Sequence, residues 1–365
     1  MKIVMFGHKC VPSREGGVEI VVEELASRMA ALGHQVTCYN RAGQSLSGSA
    51  GASYRGIRLK TVATIHRKGL AAVSASFFAA ILSACSDADV VHIHAEGPAL
   101  MGWLPRFFGK RVIVTVHGLD WQREKWKGSL ASGYIRLGER MAVRCAHEII
   151  VLSRNVQNYF LDTYGRETVY IPNGVTLPEP VGPEQILELG LEKESYILFL
   201  GRLVPEKRPD LLIRAWKKAN TGKKLVIAGG SSDSDAYVSE LKKLAGGDPG
   251  ILFPGYVRGR LLEELFSNAY LYVLPSDLEG MPLSLLEAMS YGCCCLVSDI
   301  PECTEVVGHN ALVFRAGEEE ELREKLERLC IDGERSKALR SAARAHMAAA
   351  FSWDEVTKRT LELYQ

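Results

Sequence analysis

Four charged residues in the second half of the chain have types and a spacing that suit a phosphorylated, hydroxyl-rich ligand. Arg202 and Lys207 follow the apolar segment YILFLG (196–201), and seven residues separate Glu279 from Glu287. Guanidinium and ammonium groups neutralise phosphate, whereas carboxylates accept hydrogen bonds from sugar hydroxyls. The alternative interpretation is two solvated cations, a solvated Glu279 and a Glu287 that interacts only with a helix dipole.

The two carboxylates are expected on either side of a helix start. The strand AYLYVLPS ends at Ser276, and Pro282 suits the first turn of a helix, where its missing N–H costs nothing. Glu279 therefore falls in the loop and Glu287 inside the helix. Backbone amides between them can meet ligand oxygens. The residues nearest these amides are Gly280, Met281, Pro282 and Leu283.

The first half of the chain has two further candidate sites. Gly16 and Gly17 precede a helical pattern, and glycine at a helix N-terminus lets an anion approach the backbone; a plain tight turn is the alternative. These glycines do not form the G-x-G-x-x-G fingerprint, which argues against a dinucleotide cofactor. His117 ends the strand KRVIVTVHG, where it can bind a ligand or have a structural role. Asp120, three residues later, is a candidate base for an acceptor.

Two Asp-x-Asp sequences are candidate metal ligands, and neither is favoured. Asp87 and Asp89 precede a strand, at the edge away from the expected site. Asp233 and Asp235 follow a strand but directly precede a helical segment, where aspartate commonly caps a helix. Cysteines 293–295 are adjacent, which is poor geometry for zinc, and we expect buried thiols in a reducing cytosol. We therefore expect no metal requirement.

Repeated alternation of strands and helices positions these residues. Apolar strand patterns and amphipathic helical patterns alternate up to residue 175, pause at the linker PEPVGPEQ (178–185) and then resume. Such alternation predicts an α/β chain with two doubly wound parallel sheets. Ligands bind at the carboxyl ends of the strands in such sheets. We expect domains at residues 1–180 and 181–348, followed by a C-terminal helix at 349–365.

The chain has 365 residues, of which 47% are hydrophobic, enough for two domains. No signal peptide is recognised, because Lys2 leads directly into a strand pattern. Segment 69–86 has no charge, but large apolar residues line one side of its helical projection and small residues the other. This pattern favours a helix packed on a sheet over a membrane span.

Charge is uneven along the chain. Residues 1–180 contain 21 Lys and Arg against 14 Asp and Glu, although the whole chain has a net charge of only +1. The segment WLPRFFGKR (103–111) interleaves three aromatic with three basic residues: Trp103, Arg106, Phe107, Phe108, Lys110 and Arg111. This composition suits peripheral contact with an anionic membrane. A core-facing helix followed by a basic turn is the alternative interpretation.

Three motifs together resemble the retaining GT-B glycosyltransferases of family 4. They are GRLVPEK (201–207), EGMPLSLLE (279–287) and IPNGV (171–175), and the double glycine of the first loop fits the same family. The similarity covers nearly the whole chain and is strongest to bacterial members that assemble surface polysaccharides. Two departures concern the sugar pocket: Met281–Pro282 replaces the usual Phe-Gly, and CCCLVS replaces a usual Pro-Val-Val run.

The resemblance implies two Rossmann-like domains facing a central cleft, with a nucleotide sugar bound mainly by the second. By motif, Arg202 and Lys207 would neutralise the diphosphate, Glu279 would bind the donor sugar and Glu287 the ribose. Gly17 would let the first domain close over the diphosphate, and His117 would contact the sugar from the acceptor side. The last helix would cross back to the first domain.

The implied reaction moves a sugar from a nucleotide sugar, with a UDP-sugar favoured, to a hydroxyl acceptor with retention of anomeric configuration. The acceptor is expected to be a glycan or a lipid-linked molecule, and no nucleic acid or metal is involved. We expect a cytoplasmic protein, and peripheral contact with the inner membrane face stays open as an additional property. Two alternatives stay open: a nucleotide-sugar 2-epimerase of the same fold, and an inactive protein that only binds sugar nucleotides.

Overall fold

The computed structural model describes residues 1–14, 16–43, 53–67, 69–126, 130–232 and 234–365. The chain forms two compact units, each with its own sheet. The first unit contains Met1–Asn173 together with Trp353–Gln365, and the second contains Gly174–Ser352.

An eight-stranded sheet forms the centre of the first unit. Its strands are β1 (Lys2–Phe6), β2 (Gln35–Arg41), β3 (Ser53–Tyr54), β4 (Ile57–Val62), β5 (Val90–His94), β6 (Arg111–Val116), β7 (Glu148–Val151) and β8 (Val169–Tyr170). The strand order is β3-β4-β2-β1-β5-β6-β7-β8, and every pair is parallel except β3 with β4. Strands β1, β5 and β6 are neighbours, so the residues that follow them share one edge of the sheet.

Helices cover this sheet and bury its mainly Val and Ile side chains. They are α1 (Gly17–Ala31), α2 (Leu70–Ala84), α3 (Glu96–Ala99), α4 (Trp103–Phe107), α5 (Leu130–Cys145) and α6 (Arg154–Tyr164). Near-continuous apolar strands such as Arg111–Val116 are typical of a parallel sheet covered on both faces.

The second unit contains a six-stranded parallel sheet. Its strands are β9 (Tyr196–Leu200), β10 (Lys224–Ala228), β11 (Ile251–Gly255), β12 (Leu271–Leu274), β13 (Cys295–Ser298) and β14 (Leu312–Phe314). The order is β11-β10-β9-β12-β13-β14, so β9 and β12 are adjacent although two other strands lie between them in sequence. Cysteines 293–295 are buried at the start of β13, and all nine cysteines of the chain are free thiols.

The described residues of the second unit form eight helices that follow or separate these strands. They are α7 (Gln185–Glu188), α8 (Pro209–Lys218), α9 (Asp235–Ala245), α10 (Arg260–Asn268), α11 (Leu283–Ser290), α12 (Pro301–Val307), α13 (Glu319–Ile331) and α14 (Gly333–Ala350). The last helix, α15 (Trp353–Glu362), packs on the first unit, where Tyr364 Oη lies 2.6 Å from His92 Nδ1 and Arg111 Nε donates to the Leu363 carbonyl at 2.7 Å.

Helix α2 packs through its small residues, and its large apolar side chains point outward. Ala75, Ala79 and Ser83 are buried, whereas Phe77 and Phe78 are exposed. Helix α4 packs on the core through Leu104 and Pro105 and is followed by a turn, as the alternative interpretation expects, but the three aromatic side chains of segment 103–111 are exposed. No helix in the described ranges is both long enough and apolar enough to span a bilayer.

Candidate active site

The candidate site of the second unit lies where β9 and β12 end. The loop after β9 contains a 3₁₀ turn, Pro205–Lys207, and then Arg208 with a positive φ of 51°. The backbone N–H of Asp277, in the loop after β12, donates to the Glu206 carbonyl at 2.8 Å, and Arg208 donates to the Asp277 carboxylate at 2.7 Å. The two loops are therefore fixed to each other.

Lys207 and Glu279 form an ion pair across these two loops. Lys207 Nζ lies 2.5 Å from Glu279 Oε1, and each side chain is only 9% exposed. Ser276 Oγ donates to the same carboxylate oxygen at 2.7 Å. A side chain at Gly201 would contact the aliphatic stem of Lys207 at 3.4 Å. The interpretation of Lys207 and Glu279 as solvated charges is therefore wrong.

Helix α11 begins one residue later than the sequence suggests. Pro282 is its N-cap, with φ −77° and ψ 100°, so Glu279 and Gly280 precede the helix and Glu287 lies one turn after Leu283. Glu287 is half-buried, as is Arg202, which follows β9. The sequence thus predicted the loop and helix locations of the two carboxylates, but not the direct contact of one of them with Lys207.

In the first unit, Gly16 is the N-cap of α1 in an extended conformation, with φ −144°. A Cβ atom at Gly16 would lie 2.1 Å from Glu19 Oε2, so a side chain there requires Glu19 to move. Glu19 is buried, and its Oε1 accepts a hydrogen bond from the Lys9 backbone N–H at 2.9 Å. This N-terminus therefore already has a carboxylate beside it, which opposes binding of a second anion.

His117 follows β6 and belongs to a row of buried histidines. His117 Nε2 lies 3.1 Å from His94 Nδ1, and the rings of His94 and His92 stack with centroids 4.2 Å apart. Burial lowers the pKa of His117 to about 4, against a smaller opposing effect of Asp120 and Glu19. The imidazole is neutral at neutral pH, so it acts as a hydrogen-bonding group and not as a cation.

Asp120 is held by its backbone and its side chain. Its N–H donates to Glu96 Oε2 at 2.8 Å, and its Oδ1 lies 2.9 Å from Arg123 Nη2. Glu96 is fully buried, and burial together with Asp120 and Glu139 holds the pKa of its carboxyl well above the usual range. Glu139 in turn accepts a hydrogen bond from Tyr159 at 2.8 Å. Asp120 Oδ1 is therefore paired with Arg123, a contact that the sequence did not predict.

Sequence reasoning missed four residues that contact the candidate groups: Glu19, His94, Glu96 and Ser276. Two of them carried a usable signal. His94 is the last residue of β5, a position at a strand end similar to that of His117 after β6. Ser276 lies three residues before Glu279 in the same loop. The roles of Glu19 and Glu96 had no local signal, because a buried carboxylate is indistinguishable in sequence from a solvated one.

The metal candidates have other roles where the structure describes them. Asp87 pairs with Lys2 at 2.5 Å, and Asp89 accepts a hydrogen bond from the Lys2 backbone at 2.7 Å. Asp233 lies outside the described residues. Asp235 is the first residue of α9, whose N-cap is Ser234, so its expected N-cap position is off by one residue. The described residues contain no cluster of three His, Cys, Asp or Glu that could hold a metal ion.

Two family models match consecutive parts of the chain. Residues 15–178 match the family described as Glycosyltransferase Family 4, and residues 183–346 match Glycosyl transferases group 1. The chain belongs to glycosyltransferase family 4. It is therefore a retaining glycosyltransferase that uses a nucleotide-sugar donor, and the predicted α/β GT-B architecture is confirmed.

Two curated relatives of this family 4 enzyme are bacterial proteins. The alpha-maltose-1-phosphate synthase of Mycolicibacterium smegmatis is 28% identical over 309 residues, which cover 76% of this chain and 79% of the relative. The D-inositol 3-phosphate glycosyltransferase of Gordonia bronchialis is 26% identical, with 96% of this chain and 83% of the relative covered.

Solved structures share the fold at lower identity. Sucrose-phosphate synthase from Thermosynechococcus elongatus has a TM-score of 0.86 at 21% identity, with 100% of this chain and 98% of the other covered. Anabaena HepE, in complex with UDP-glucose, has a TM-score of 0.81 at 19% identity, with 99% and 98% covered. These likenesses show the fold of the family 4 enzyme.

Proposed function

We propose that this enzyme transfers a sugar from a UDP-sugar to a hydroxyl acceptor in the synthesis of a bacterial polysaccharide or glycolipid. The observation that carries the proposal is the buried Lys207–Glu279 ion pair, which joins a phosphate-binding type of side chain to a sugar-binding type at adjacent strand ends. The UDP-glucose complex of the fold relative HepE supports the choice of donor.

The second unit is proposed to bind the donor. Lys207 Nζ is held by Glu279, its remaining protons are proposed to bind the diphosphate, and Arg202 in the same loop adds a second positive charge. Glu279 Oε2 is available to sugar hydroxyls, since Oε1 is engaged by Lys207 and Ser276. Glu287, one turn inside α11, receives the ribose hydroxyls. Gly280, Met281 and Leu283 contribute backbone amides between Glu279 and Glu287.

The transfer exchanges one bond at the anomeric carbon for another on the same face. The bond from C1 to the diphosphate oxygen breaks, and a bond from C1 to the acceptor oxygen forms. The acceptor proton passes to the leaving diphosphate. Positive charge from Arg202 and Lys207 stabilises the negative charge that grows on the leaving group, which is where electrostatic catalysis has its largest effect.

The first unit is proposed to act on the acceptor side. His117 is neutral because of its burial, so it can hydrogen-bond to a sugar hydroxyl without repelling an approaching cation or attracting free phosphate. Its ring is fixed by His94. Gly16 and Gly17 provide a backbone surface at the start of α1, while the adjacent Glu19 limits how much negative charge this surface accepts.

The decisive experiment incubates the protein with UDP-, GDP- and TDP-sugars and measures released nucleotide and any change in the sugar. Nucleotide release with an intact sugar configuration supports transfer or slow hydrolysis. An epimerised sugar would support the 2-epimerase alternative, and an unchanged donor would support a protein that only binds sugar nucleotides. Release from GDP- or TDP-sugars alone would contradict the proposed base.

Glu287→Ala is expected to weaken binding of UDP itself, whereas Glu279→Ala mainly reduces binding or turnover of the sugar portion. A carboxylate that accepts a ribose hydrogen bond contributes about 1.5–3 kcal/mol, so UDP affinity falls about tenfold or more in Glu287→Ala. Calorimetric titration with UDP alone and with the intact UDP-sugar measures both effects.

Glu240→Ala is the matched control for these variants, since it removes an exposed carboxylate from α9 of the same unit. It should bind both ligands as the wild type does. Equal UDP affinity in the wild type and in Glu287→Ala would refute the ribose role while leaving the donor class intact.

We propose that the reaction needs no divalent metal, because Arg202 and Lys207 place two cationic side chains in the loop that is proposed to meet the diphosphate. Nucleotide release should survive dialysis against EDTA at the rate of the untreated enzyme. Magnesium and manganese are then added back separately as the control. Complete loss with EDTA, restored by either ion, would contradict the proposal and return attention to Asp233 and Asp235.

A further inference from the structure

Exposed aromatic residues of this protein are concentrated on two neighbouring helices. Within the ranges that the structure describes, all exposed Phe and Trp side chains lie on α2, on α4 or directly after α4: Phe77, Phe78, Trp103, Phe107 and Phe108. Phe107 is 80% exposed and Phe108 54%. Contiguous apolar surface of this kind is uncommon on a protein that has no partner for it.

The two helices form one surface, which we call the α2–α4 face. They pack beside each other, and Lys110, just after α4, donates to the Ser86 carbonyl, just after α2, at 2.7 Å. Helix α2 adds Leu70 and Leu82 to the exposed apolar side chains. The Ala and Ser residues of α2 pack inward, so its large apolar side chains do not contribute to the hydrophobic core.

Charge at the α2–α4 face is positive. Neither helix contains an acidic residue, and four basic residues of the described ranges lie within or beside them: Arg67, Arg106, Lys110 and Arg111. Lys110 and Arg111 donate hydrogen bonds to backbone carbonyls, and these contacts do not neutralise their positive charge. The nearest acidic residue after α2 is Asp87, which pairs with Lys2 and also interacts electrostatically with Lys110, so it offsets only part of this positive charge.

We propose that the α2–α4 face docks on an anionic lipid surface. Protruding aromatic side chains enter the boundary between headgroups and acyl chains, while the surrounding Arg and Lys residues meet lipid phosphates. A second copy of the chain is a poorer occupant, because a two-fold interface would place the same positive residues against each other. The proposal adds an interaction surface and does not depend on the identity of the donor or acceptor.

The test is flotation of the full-length protein with phosphatidylcholine vesicles, with and without phosphatidylglycerol, at low and high salt. We expect binding only to the anionic vesicles and a decrease at high salt. The double variant Phe107→Ser/Phe108→Ser should bind at least about tenfold more weakly. Arg106→Glu should lose about fivefold or more, the effect of removing one basic residue near the surface.

Two substitutions on other surfaces serve as controls: Ile331→Ser at the end of α13 and Lys243→Glu on α9. Ile331→Ser removes an exposed apolar side chain, and Lys243→Glu reverses an exposed positive charge. Both variants should bind vesicles as the wild type does. Melting temperature and nucleotide release confirm that the variants fold. Failure to float with anionic vesicles, equal flotation with neutral ones, or a dimer in solution that Phe107→Ser/Phe108→Ser abolishes would each overturn the proposal.

Discussion

Replacing Arg202 or Lys207 with alanine is expected to lower the turnover number about 10²–10³-fold, because each removes a proposed partner of the leaving diphosphate. This loss corresponds to about 2.7–4 kcal/mol of transition-state stabilisation. Both residues lie in the loop that follows β9, and Lys207 is held in place by Glu279 at 2.5 Å. Steady-state nucleotide release from the best donor measures the effect.

Lys207→Ala has a second consequence that must be separated from catalysis. Lys207 and Glu279 are each 9% exposed, and removing one partner of a buried ion pair costs about 3–5 kcal/mol of folding stability. The double variant Lys207→Met/Glu279→Gln leaves no unpaired charge, so it should regain most of the melting temperature. Turnover should stay low, because neither residue can then act on the donor.

Lys242→Ala is the control, since it removes an exposed lysine from α9 of the same unit. It should retain normal melting temperature and turnover. Wild-type turnover in Arg202→Ala would exclude this residue from the diphosphate site. Recovery of both stability and turnover in the double variant would show that Lys207 matters only as the partner of Glu279.

Most strands of both sheets could be predicted from sequence, because a strand buried on both faces is a short, nearly continuous apolar run. YILFLG and KRVIVTVHG fit β9 and β6 closely. The two-residue strand β3, which is the antiparallel edge of the first sheet, was not predicted. Two residues form no alternating pattern, so their pairing depends on the tertiary position of β4.

The orientation of α2 shows a different limit. Hydrophobicity alone favours burial of Phe77 and Phe78, yet the buried side contains Ala79, Ala80 and Ser83. Small residues allow a helix to approach its neighbours closely, and the Ser83 hydroxyl is satisfied by the Ala79 carbonyl at 2.6 Å. When both sides of a helix are uncharged, close packing decides which side is buried, and the sequence pattern does not contain that information.

The candidate site was predictable residue by residue but not as a set of contacts. Residues that follow a strand can be identified from sequence, and they include Lys207, His117 and the loop of Glu279. Their partners depend on strand order. Lys207 meets Glu279 because β9 and β12 are adjacent, and His117 meets His94 because β6 and β5 are adjacent.

We expect the first unit to lose stability steeply as the pH falls from about 6.5 to 4. Burial lowers the pKa of His8 and His117 to about 4 and that of His92 to about 3, and holds the pKa of His94 well below its usual value. The unfolded chain then binds protons in this pH window that the folded unit does not, so the free energy of unfolding falls with pH. His8 and His117 each contribute about 3 kcal/mol.

The raised pKa of Glu96 acts in the opposite direction, because the folded unit keeps this proton above the pH at which the unfolded chain releases it. Glu96 therefore offsets part of the destabilisation that the four histidines cause as the pH falls, and we expect a net loss in the free energy of unfolding. Urea unfolding followed by tryptophan fluorescence at pH 7, 6, 5 and 4.5 measures it. His117→Gln should reduce the pH slope by about one proton, whereas the exposed His309→Gln should not. A stability that stays constant across this range would show that the buried histidines titrate as they do in water.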